Sequence, residues 1–190
     1  MNVYDASISR RTVRKYENKP VKKEDLIKLI ESARLAPSSA NLQSLKYAVV
    51  TKEEIRKEIF PYLKYAGYIP SWNPEFLETA TAFIIILNDT SIRSSDKSEC
   101  DAGIAMGTIS LVAEEMGLGT CCIGSADRKK VRQILGYDER FYVMYIMAVG
   151  HPAQTGEFFD DDTTVKYYFN EDGNTRVPKR SLKEVIIKYE

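Results

Sequence analysis

A short segment near the start of the chain combines four cationic side chains with two hydroxyls: residues 9–15 read Ser-Arg-Arg-Thr-Val-Arg-Lys. Arginine presents a rigid fork of N–H donors that matches phosphate oxygens, and serine or threonine adds a short hydroxyl donor. If the segment is helical, Arg10 and Arg14 lie on one face, one turn apart. The segment predicts a site for a dianionic phosphate, and the alternative is a solvated basic face.

A glycine-rich segment lies in the second half of the chain, where residues 117–124 read Gly-Leu-Gly-Thr-Cys-Cys-Ile-Gly. Cys122 occupies the third glycine position of a dinucleotide fingerprint, and Ser125 and Ala126 replace the Lys-Ser or Lys-Thr of a nucleotide-triphosphate loop. Two interpretations remain. In the first, the backbone of the segment approaches a flat ligand closely. In the second, the segment is a helix cap followed by an edge strand, and the residues of the segment alone favour this second interpretation.

Imidazole and thiol chemistry have little support in this sequence. His151 is the only histidine, so a Ser-His-Asp triad or a multi-histidine metal site is not indicated. Cys121 and Cys122 are adjacent, a spacing that strains a disulfide and is not the Cys-x-x-Cys of a zinc site. We predict no metal site, and we interpret Ser38 and Ser39 as ligand-binding hydroxyls rather than nucleophiles.

Hydrophobic patterning places these motifs on alternating helices and strands. Apolar residues at three- and four-residue steps predict a helix over residues 22–36, which Pro37 should end. Further helices are predicted over residues 52–66, 101–116, 129–135 and 182–189, and strands over residues 46–51, 82–87 and 142–149. Strands separated by helices in 190 residues predict one domain of mixed α and β structure.

The overall charge and hydropathy restrict the partners of the chain. Lys plus Arg and Asp plus Glu both number 27, so the formal net charge is zero, whereas a nucleic-acid-binding protein would usually be basic. The longest apolar runs, residues 82–87 and 143–149, are far shorter than the roughly 20 residues of a membrane helix. No apolar run follows the N-terminal charges as in a signal peptide. We expect a cytoplasmic protein with neither nucleic-acid nor membrane partners.

Five motifs in chain order resemble the nitroreductase family of FMN-dependent flavoproteins. They are Arg-Arg-Thr-Val-Arg-Lys-Tyr at 10–16, Pro-Ser-Ser-Ala-Asn-Leu-Gln at 37–43, Asp-Ala-Gly-Ile-Ala-Met at 101–106, the glycine-rich segment at 117–124 and Val-Gly-His-Pro at 149–152. The resemblance implies an α+β fold with a central mixed sheet flanked by helices. It also implies an intertwined homodimer of single-domain chains, 1–190, in which a C-terminal extension of about 151–190 wraps the partner subunit.

The resemblance implies that FMN lies between the two subunits. Residues near both ends of the chain would hold its phosphate and ribityl end: Arg10, Arg11, Thr12, and Lys179 or Arg180. Arg14 would face N1 and O2 of the isoalloxazine ring and tune it. Polar residues of the 37–43 motif would reach the flavin bound by the other subunit: Ser38, Ser39, Asn41 and Gln43. Ile123 and Gly124 would lie near the N5 side of the ring.

The implied activity is that of an oxidoreductase that takes hydride from NADH or NADPH and reduces a small-molecule acceptor such as a nitroaromatic or a quinone. Flavin chemistry is supplied by the cofactor, so no catalytic side chain is predicted. The alternatives are a reductive dehalogenase or a flavin-consuming enzyme of the same fold, and a flavin-binding protein without turnover. Ser44 and Leu45 stand where many relatives have proline and an aromatic residue, which leaves the acceptor open. The irregular segment 62–72 should lie over the active site.

Overall fold

A four-stranded antiparallel sheet forms the core of the molecule. The computed structural model describes residues 1–189. The strands lie in the order β1 (Leu45–Val50), β2 (Ala82–Asp89), β4 (Phe141–Gly150) and β3 (Gly119–Ile123). Every residue of β2 is buried, which explains its nearly continuous apolar sequence. Successive side chains point to opposite faces of the sheet, so each face supports a separate hydrophobic core.

Helices α2 (Lys23–Leu35) and α4 (Glu99–Glu115) cover one face of the sheet. The buried residues of α2 recur at the predicted three- and four-residue steps: Leu26, Leu29 and Ala33. Ala36 leaves the helical conformation, with a ψ of 149°, because Pro37 disfavours helical geometry in the residue before it. The helices predicted over residues 22–36 and 101–116 are therefore confirmed within two residues.

Helices α3 (Glu53–Ile59) and α5 (Arg128–Ile134) cover the opposite face, where Ile59 and Val131 pack against Phe83 and Ile146. The helix predicted over residues 52–66 is too long. It ends at Ile59 and is followed by a single 3-10 turn, Phe60–Tyr62. Pro61 has no N–H to continue the α-helical hydrogen bonds. The irregular segment that follows, residues 63–75, is called the excursion below.

Residues 10–15, called the basic segment below, follow helix α1 (Val3–Ser9) and lie beside the edge strand β3. Thr12 and Thr120 form a parallel bridge, and the N–H of Val13 donates to the carbonyl of Thr120 at 2.9 Å. A side chain at Gly119 would lie 2.7 Å from the Val13 side chain, so this close approach requires glycine. The interpretation of residues 117–124 as a helix cap followed by an edge strand is correct.

The C-terminal segment builds a second, smaller sheet of three strands: β5 (Gly156–Asp160), β7 (Thr175–Lys179) and β6 (Tyr168–Phe169). β5 and β7 are parallel and β6 is antiparallel to β7. The mixed pairing that was predicted thus occurs in this small sheet, whereas every pair of the four-stranded sheet is antiparallel. The α+β fold class is confirmed.

The last helix is shorter than predicted. The sequence predicts a helix over residues 182–189, but α6 spans only Leu182–Val185. The run Val185-Ile186-Ile187 consists of β-branched residues, which lose side-chain freedom in a helix, and Ile186 already has a ψ of 98°. No helix between residues 1 and 189 has the length and apolar character that crossing a membrane requires.

Candidate active site

The basic segment and the C-terminal strand β7 line a common cavity of about 390 Å³. Five cationic residues face it from the two ends of the chain: Arg10, Arg11, Arg14, Lys179 and Arg180. Thr12 also lines the cavity, so all the residues predicted to hold a phosphate are brought together. A concentration of guanidinium and ammonium groups around one cavity is suited to an anion with several oxygens.

The backbone of the basic segment is extended, so the helical face predicted for Arg10 and Arg14 is wrong. Helix α1 ends at Ser9, and Arg10 already has a ψ of 126°. The pairing of Thr12 with Thr120 on β3 holds the segment in this conformation. Arg10 and Arg14 still line the same cavity, because alternate residues of an extended chain point to the same side.

Two of the arginines carry buried donors without an acceptor among the described residues. These donors are the Nε atoms of Arg11 and Arg14. The remaining nitrogens of Arg11 donate to the carbonyls of Ile8 and Arg10. Burial, followed by repulsion from Arg10, lowers the pKa of Arg11. Buried donors without partners are rare in folded proteins, and here they fit a phosphate-bearing ligand such as FMN.

Aromatic rings of the C-terminal segment cover three consecutive cations of the basic segment. The distances from cation to ring centroid are 4.7 Å for Arg11 over Phe158, 4.3 Å for Arg14 over Tyr167 and 5.3 Å for Lys15 over Phe169. Cation–π contacts of this kind contribute about 0.5–2 kcal/mol each. They join the C-terminal segment to the basic segment of the same chain, and a further contact of the tail with a partner subunit stays a prediction.

The predicted flavin-contacting loop lies apart from the basic cavity. Ser38 and Gln43 line a different cavity of about 380 Å³, between α2, β1 and α4. Three residues of the loop that are not glycine have left-handed backbone angles, with φ values of 50° for Ala40, 53° for Asn41 and 51° for Gln43. Side chains disfavour this conformation, so something outside the loop must stabilise it.

A buried carboxylate at the start of α4 anchors the loop. Oδ1 of Asp101 accepts the N–H of Ser39 at 3.0 Å, and Oδ2 lies 3.8 Å from Nη1 of Arg93. Asp101 is only 3% exposed. Within the loop, the hydroxyl of Ser38 accepts the N–H of Gln43 at 3.3 Å. The predicted contact of Ser38, Ser39, Asn41 and Gln43 with a partner's flavin is untested, but the loop has a fixed shape.

The residues predicted near flavin N5 lie against the excursion that follows α3. The N–H of Lys64 donates to the carbonyl of Ser125 at 2.9 Å, and Leu63 forms a bridge with Ala126. These two contacts place the excursion directly beside the end of β3, where Ile123 is buried and Gly124 is exposed. The excursion therefore lies beside the residues predicted near flavin N5, and its place over an active site stays a prediction.

Val165 and Tyr167 are among the residues of the basic cavity that were missed from the sequence. They lie in the polar tail, about 150 positions after the arginines they approach. The pairing of β6 with β7 is what brings them back to the basic segment. The three consecutive aromatic residues at 167–169 are typical of a strand, but they do not indicate which surface the strand would cover.

Comparisons with known proteins agree with this geometry. A model of the nitroreductase family matches residues 8–151. A putative NADH dehydrogenase/NAD(P)H nitroreductase of Archaeoglobus fulgidus is 27% identical over 160 residues, which cover 81% of this chain and 87% of that protein. An iodotyrosine deiodinase of Thermotoga neapolitana is 26% identical over 186 residues, which cover 89% of this chain and 94% of that protein.

Solved structures show the same arrangement of helices and strands. An FMN-dependent nitroreductase from Clostridium difficile R20291 superposes with a TM-score of 0.66 and 29% identity. The match covers 85% of this chain and 95% of that one. The family model spans well over half of the sequence and includes the basic segment, the 37–43 loop and the glycine-rich strand. The resemblance of the five motifs is therefore confirmed, and the chain belongs to the nitroreductase family.

Proposed function

We propose that this protein is an FMN-dependent oxidoreductase that takes hydride from NADH or NADPH and reduces a small-molecule acceptor, such as a nitroaromatic or a quinone. The main support for the proposal is the basic cavity, where two buried arginine donors have no acceptor within the described part of the chain. The names of the related nitroreductases, one NAD(P)H-linked and one FMN-dependent, support the choice of cofactor and electron donor.

The cationic residues would divide the binding of FMN between the two ends of the chain. Arg10 and Thr12 would donate to the phosphate and ribityl oxygens, and Arg11 would contribute its free Nε, since its other nitrogens are bonded to backbone carbonyls. Lys179 or Arg180 would close the phosphate pocket from β7 and its end. Charge-assisted hydrogen bonds of this kind are about twice as strong as neutral ones.

Arg14 would act on the electron distribution of the ring rather than on its phosphate. When bound, FMN supplies the hydride and electron transfer. Arg14 would place a fixed positive charge beside N1 and O2, where reduction adds negative charge, and so favour the reduced form. Ile123 and Gly124 would line the N5 side of the ring, where their backbone excludes water.

We also propose a homodimer, in which the 151–190 extension contacts the partner. The last described residues expose large apolar side chains: Leu182, Val185, Ile186, Ile187 and Tyr189. A wide cavity of about 870 Å³ between α2 and β1 is lined largely by apolar residues, including Ile27 and Val49, which are themselves exposed. Exposed apolar surfaces of this extent mark interfaces, and a second chain would cover both.

A second candidate activity is the reductive removal of a halogen from an aromatic substrate. The likeness to the deiodinase of Thermotoga neapolitana favours it, because that match extends over 89% of this chain. Both activities use the same flavin site. Assays with a nitroaromatic and with a halogenated phenol, under the same anaerobic conditions, would separate them.

The experiment that tests the proposal replaces two phosphate ligands, Arg10→Ala together with Arg11→Ala. Each charge-assisted bond contributes roughly 1.5–3 kcal/mol, so the double variant should bind FMN at least about a hundredfold more weakly. The bound flavin is measured by absorbance after dialysis. Lys129→Ala, on the exposed surface of α5, is the matched control and should retain FMN. Unchanged occupancy in the double variant would contradict the site.

Turnover is tested separately on the purified protein. NADH or NADPH added anaerobically should bleach the absorbance of the bound flavin, and an oxidised acceptor should restore it. A protein that binds FMN but is bleached by neither nucleotide would be a flavin-binding protein without this activity. The nucleotide that bleaches faster identifies the electron donor.

A further inference from the structure

Gln154 is a buried residue whose side-chain amide holds the backbone of the basic segment. Its oxygen accepts two hydrogen bonds, from the N–H of Arg14 at 3.1 Å and from the N–H of Lys15 at 2.7 Å. Gln154 is only 8% exposed, so water has little access to this oxygen. Two consecutive N–H groups that converge on one oxygen fix the local path of the chain, and without that oxygen they would lose their acceptor. These two hydrogen bonds, called the Gln154 clamp below, therefore determine where the Arg14 side chain leaves the backbone.

The amide nitrogen of Gln154 joins the clamp to strand β7. It donates to the hydroxyl of Thr175, a buried residue at the start of β7. A rotation that exchanged the oxygen and the nitrogen of the amide would point its N–H groups at the two backbone donors of the basic segment. The amide of Gln154 thus has one favourable orientation.

Thr175 also supports the guanidinium end of Arg14. In the small sheet, Thr175 pairs with Phe169 of β6. Tyr167 comes immediately before β6, and the centroid of its ring lies 4.3 Å from the guanidinium carbon of Arg14. The backbone of Arg14 and the ring against its guanidinium are therefore both tied to the start of β7. A side chain held at both ends has few orientations available.

We propose that Gln154 is a positioning residue that acts on the bound flavin through Arg14. This inference rests on the proposed function, in which Arg14 places its charge beside N1 and O2 of FMN. A charge stabilises the reduced ring most when it is already in place, because no reorganisation is then needed during reduction. Gln154 fixes that charge from the backbone side, and Tyr167 fixes it from the guanidinium side.

Replacing Gln154 with methionine tests the effect on the flavin. Gln154→Met keeps an unbranched side chain of similar length and removes both polar atoms of the amide. With Arg14 less well held, the flavin-loaded variant should lose about fivefold of its preference for reduced over oxidised FMN, which corresponds to a fall of about 20 mV in the two-electron potential. The measurement is a redox titration of the bound flavin. A residue that only stabilises the fold would weaken the binding of both forms equally and leave the potential unchanged.

A double variant shows whether the effect passes through Arg14. If it does, Gln154→Met should lower the potential of the parent protein but not that of Arg14→Met, because coupled residues are not additive. An equal fall in both backgrounds would mean that Gln154 acts independently of Arg14 and would overturn the inference. A parent-like potential in the single variant Gln154→Met would overturn it as well.

Asn174→Ala is the matched control for stability. Oδ1 of Asn174 accepts the N–H of Thr155 at 2.9 Å, so this variant also removes a hydrogen bond near the start of β7. It should lower the urea midpoint and leave the potential unchanged. If Gln154→Met does not fold, Thr175→Val replaces it, since valine keeps the shape of residue 175 and removes the hydroxyl that accepts from Gln154. The potential should then fall by a smaller amount, Thr175→Ser should restore it, and an unchanged potential in Thr175→Val would overturn the inference.

Hydrogen exchange tests the Gln154 clamp without any flavin. In cofactor-free protein, the amides of Arg14 and Lys15 should exchange about tenfold faster in Gln154→Met than in the parent. The amide of Val13, which donates to Thr120, should exchange at the parent rate. Unchanged exchange at Arg14 and Lys15 would overturn the clamp even in a protein that binds FMN. A parent protein that binds no FMN would reject the proposed function together with the effect on the flavin, whereas faster exchange at the two amides would still support the clamp.

Discussion

Arg14 is the residue whose surroundings most constrain its role. Its guanidinium carbon lies 4.3 Å from the centroid of the Tyr167 ring, while its Nε is buried and has no acceptor among residues 1–189. Stacking on a ring uses the face of the guanidinium and leaves the N–H groups at its edge. Arg14 is thus held in one orientation with donors still available, as a residue that stabilises charge on a bound ring must be.

Replacing Arg14 with methionine tests this electronic role. Arg14→Met keeps an unbranched side chain and removes the charge, so FMN should still bind, more weakly, but its two-electron reduction potential should fall. A loss of roughly 1.4 kcal/mol in preference for the reduced form corresponds to about 30 mV. The measurement is a redox titration of the bound flavin.

The conservative variant Arg14→Lys serves as the control for charge. It retains a cation without the planar fork, so its potential should lie between those of the parent and Arg14→Met. A potential in Arg14→Met that equals that of the parent would place Arg14 away from the ring and reject its assigned position.

For single residues, the sequence identifies a functional side chain better than it identifies the side chains that surround it in the folded protein. Arg10, Arg11 and Arg14 could be identified because phosphate binding needs clustered guanidinium groups, whatever the backbone conformation. Tyr167 could not be identified, because the local sequence around an aromatic residue does not indicate which distant cation its ring will contact.

Among the elements, the start of α4 determines the shape of the loop before β1. The carboxylate of Asp101 is buried between the N–H of Ser39 and the guanidinium of Arg93. Three positive φ angles in the loop make its conformation unfavourable by itself. Removing this anchor should therefore destabilise the conformation of the loop.

Asp101→Ala is expected to destabilise the folded protein by roughly 2 kcal/mol, because the N–H of Ser39 loses its acceptor and the largely buried guanidinium of Arg93 loses a carboxylate 3.8 Å away. Urea unfolding at neutral pH measures the change. Glu115→Ala, at the exposed end of the same helix, should have little effect. An equal urea midpoint for Asp101→Ala and the parent would show that the loop keeps its shape without this anchor.

A second carboxylate joins the end of β2 to the start of β4. Asp89 is buried and accepts hydrogen bonds from Nε of Arg140 at 2.8 Å and from the hydroxyl of Ser91 at 2.6 Å. The hydrogen bond from Arg140, followed by that from Ser91, holds the pKa of Asp89 well below its ordinary value. The folded chain therefore binds a proton at this site less readily than the unfolded chain.

The low pKa of Asp89 predicts a specific loss of stability in acid. Its contribution is fully present above the unfolded value, about pH 4, and is lost as the pH falls toward the lower folded value. Asp89→Asn should lower the melting temperature at pH 7 and weaken its dependence on pH below about 4. Asp172→Asn, which changes an exposed carboxylate, should leave the pH profile unaltered. Parallel profiles for the parent and Asp89→Asn would contradict this account.

Helices with a strong apolar pattern could be predicted from the sequence. The ends of helices that stop at a proline or at a run of β-branched residues could not. α2 follows from its apolar spacing and α4 from an apolar composition on more than one face, whereas Pro61 and the β-branched run Val185-Ile186-Ile187 shorten two other helices. The small sheet of β5, β6 and β7 was not predicted, because its strands are short and its partners are distant along the chain. Pairing of that kind depends on the whole tertiary structure.

For the whole molecule, the exposed apolar end of the chain predicts a dimer in solution. Ile187 is 98% exposed, and a partner subunit should bury it. Ile187→Glu should weaken the dimer by about a hundredfold, since it removes a side chain whose burial contributes about 2–3 kcal/mol and adds a charge. Light scattering across a concentration series measures the change, with Lys129→Glu as the control. A stable monomer that retains FMN would contradict the dimer.

The position of the basic cavity also determines when it can form during synthesis. Its walls come from residues 10–14 and from residues 165–180, so it has no complete lining until residue 180 has left the ribosome. The four-stranded sheet lies between these two segments in the sequence and can begin to fold without that lining. A ligand that needs both segments would therefore bind to a chain whose central sheet has already been made.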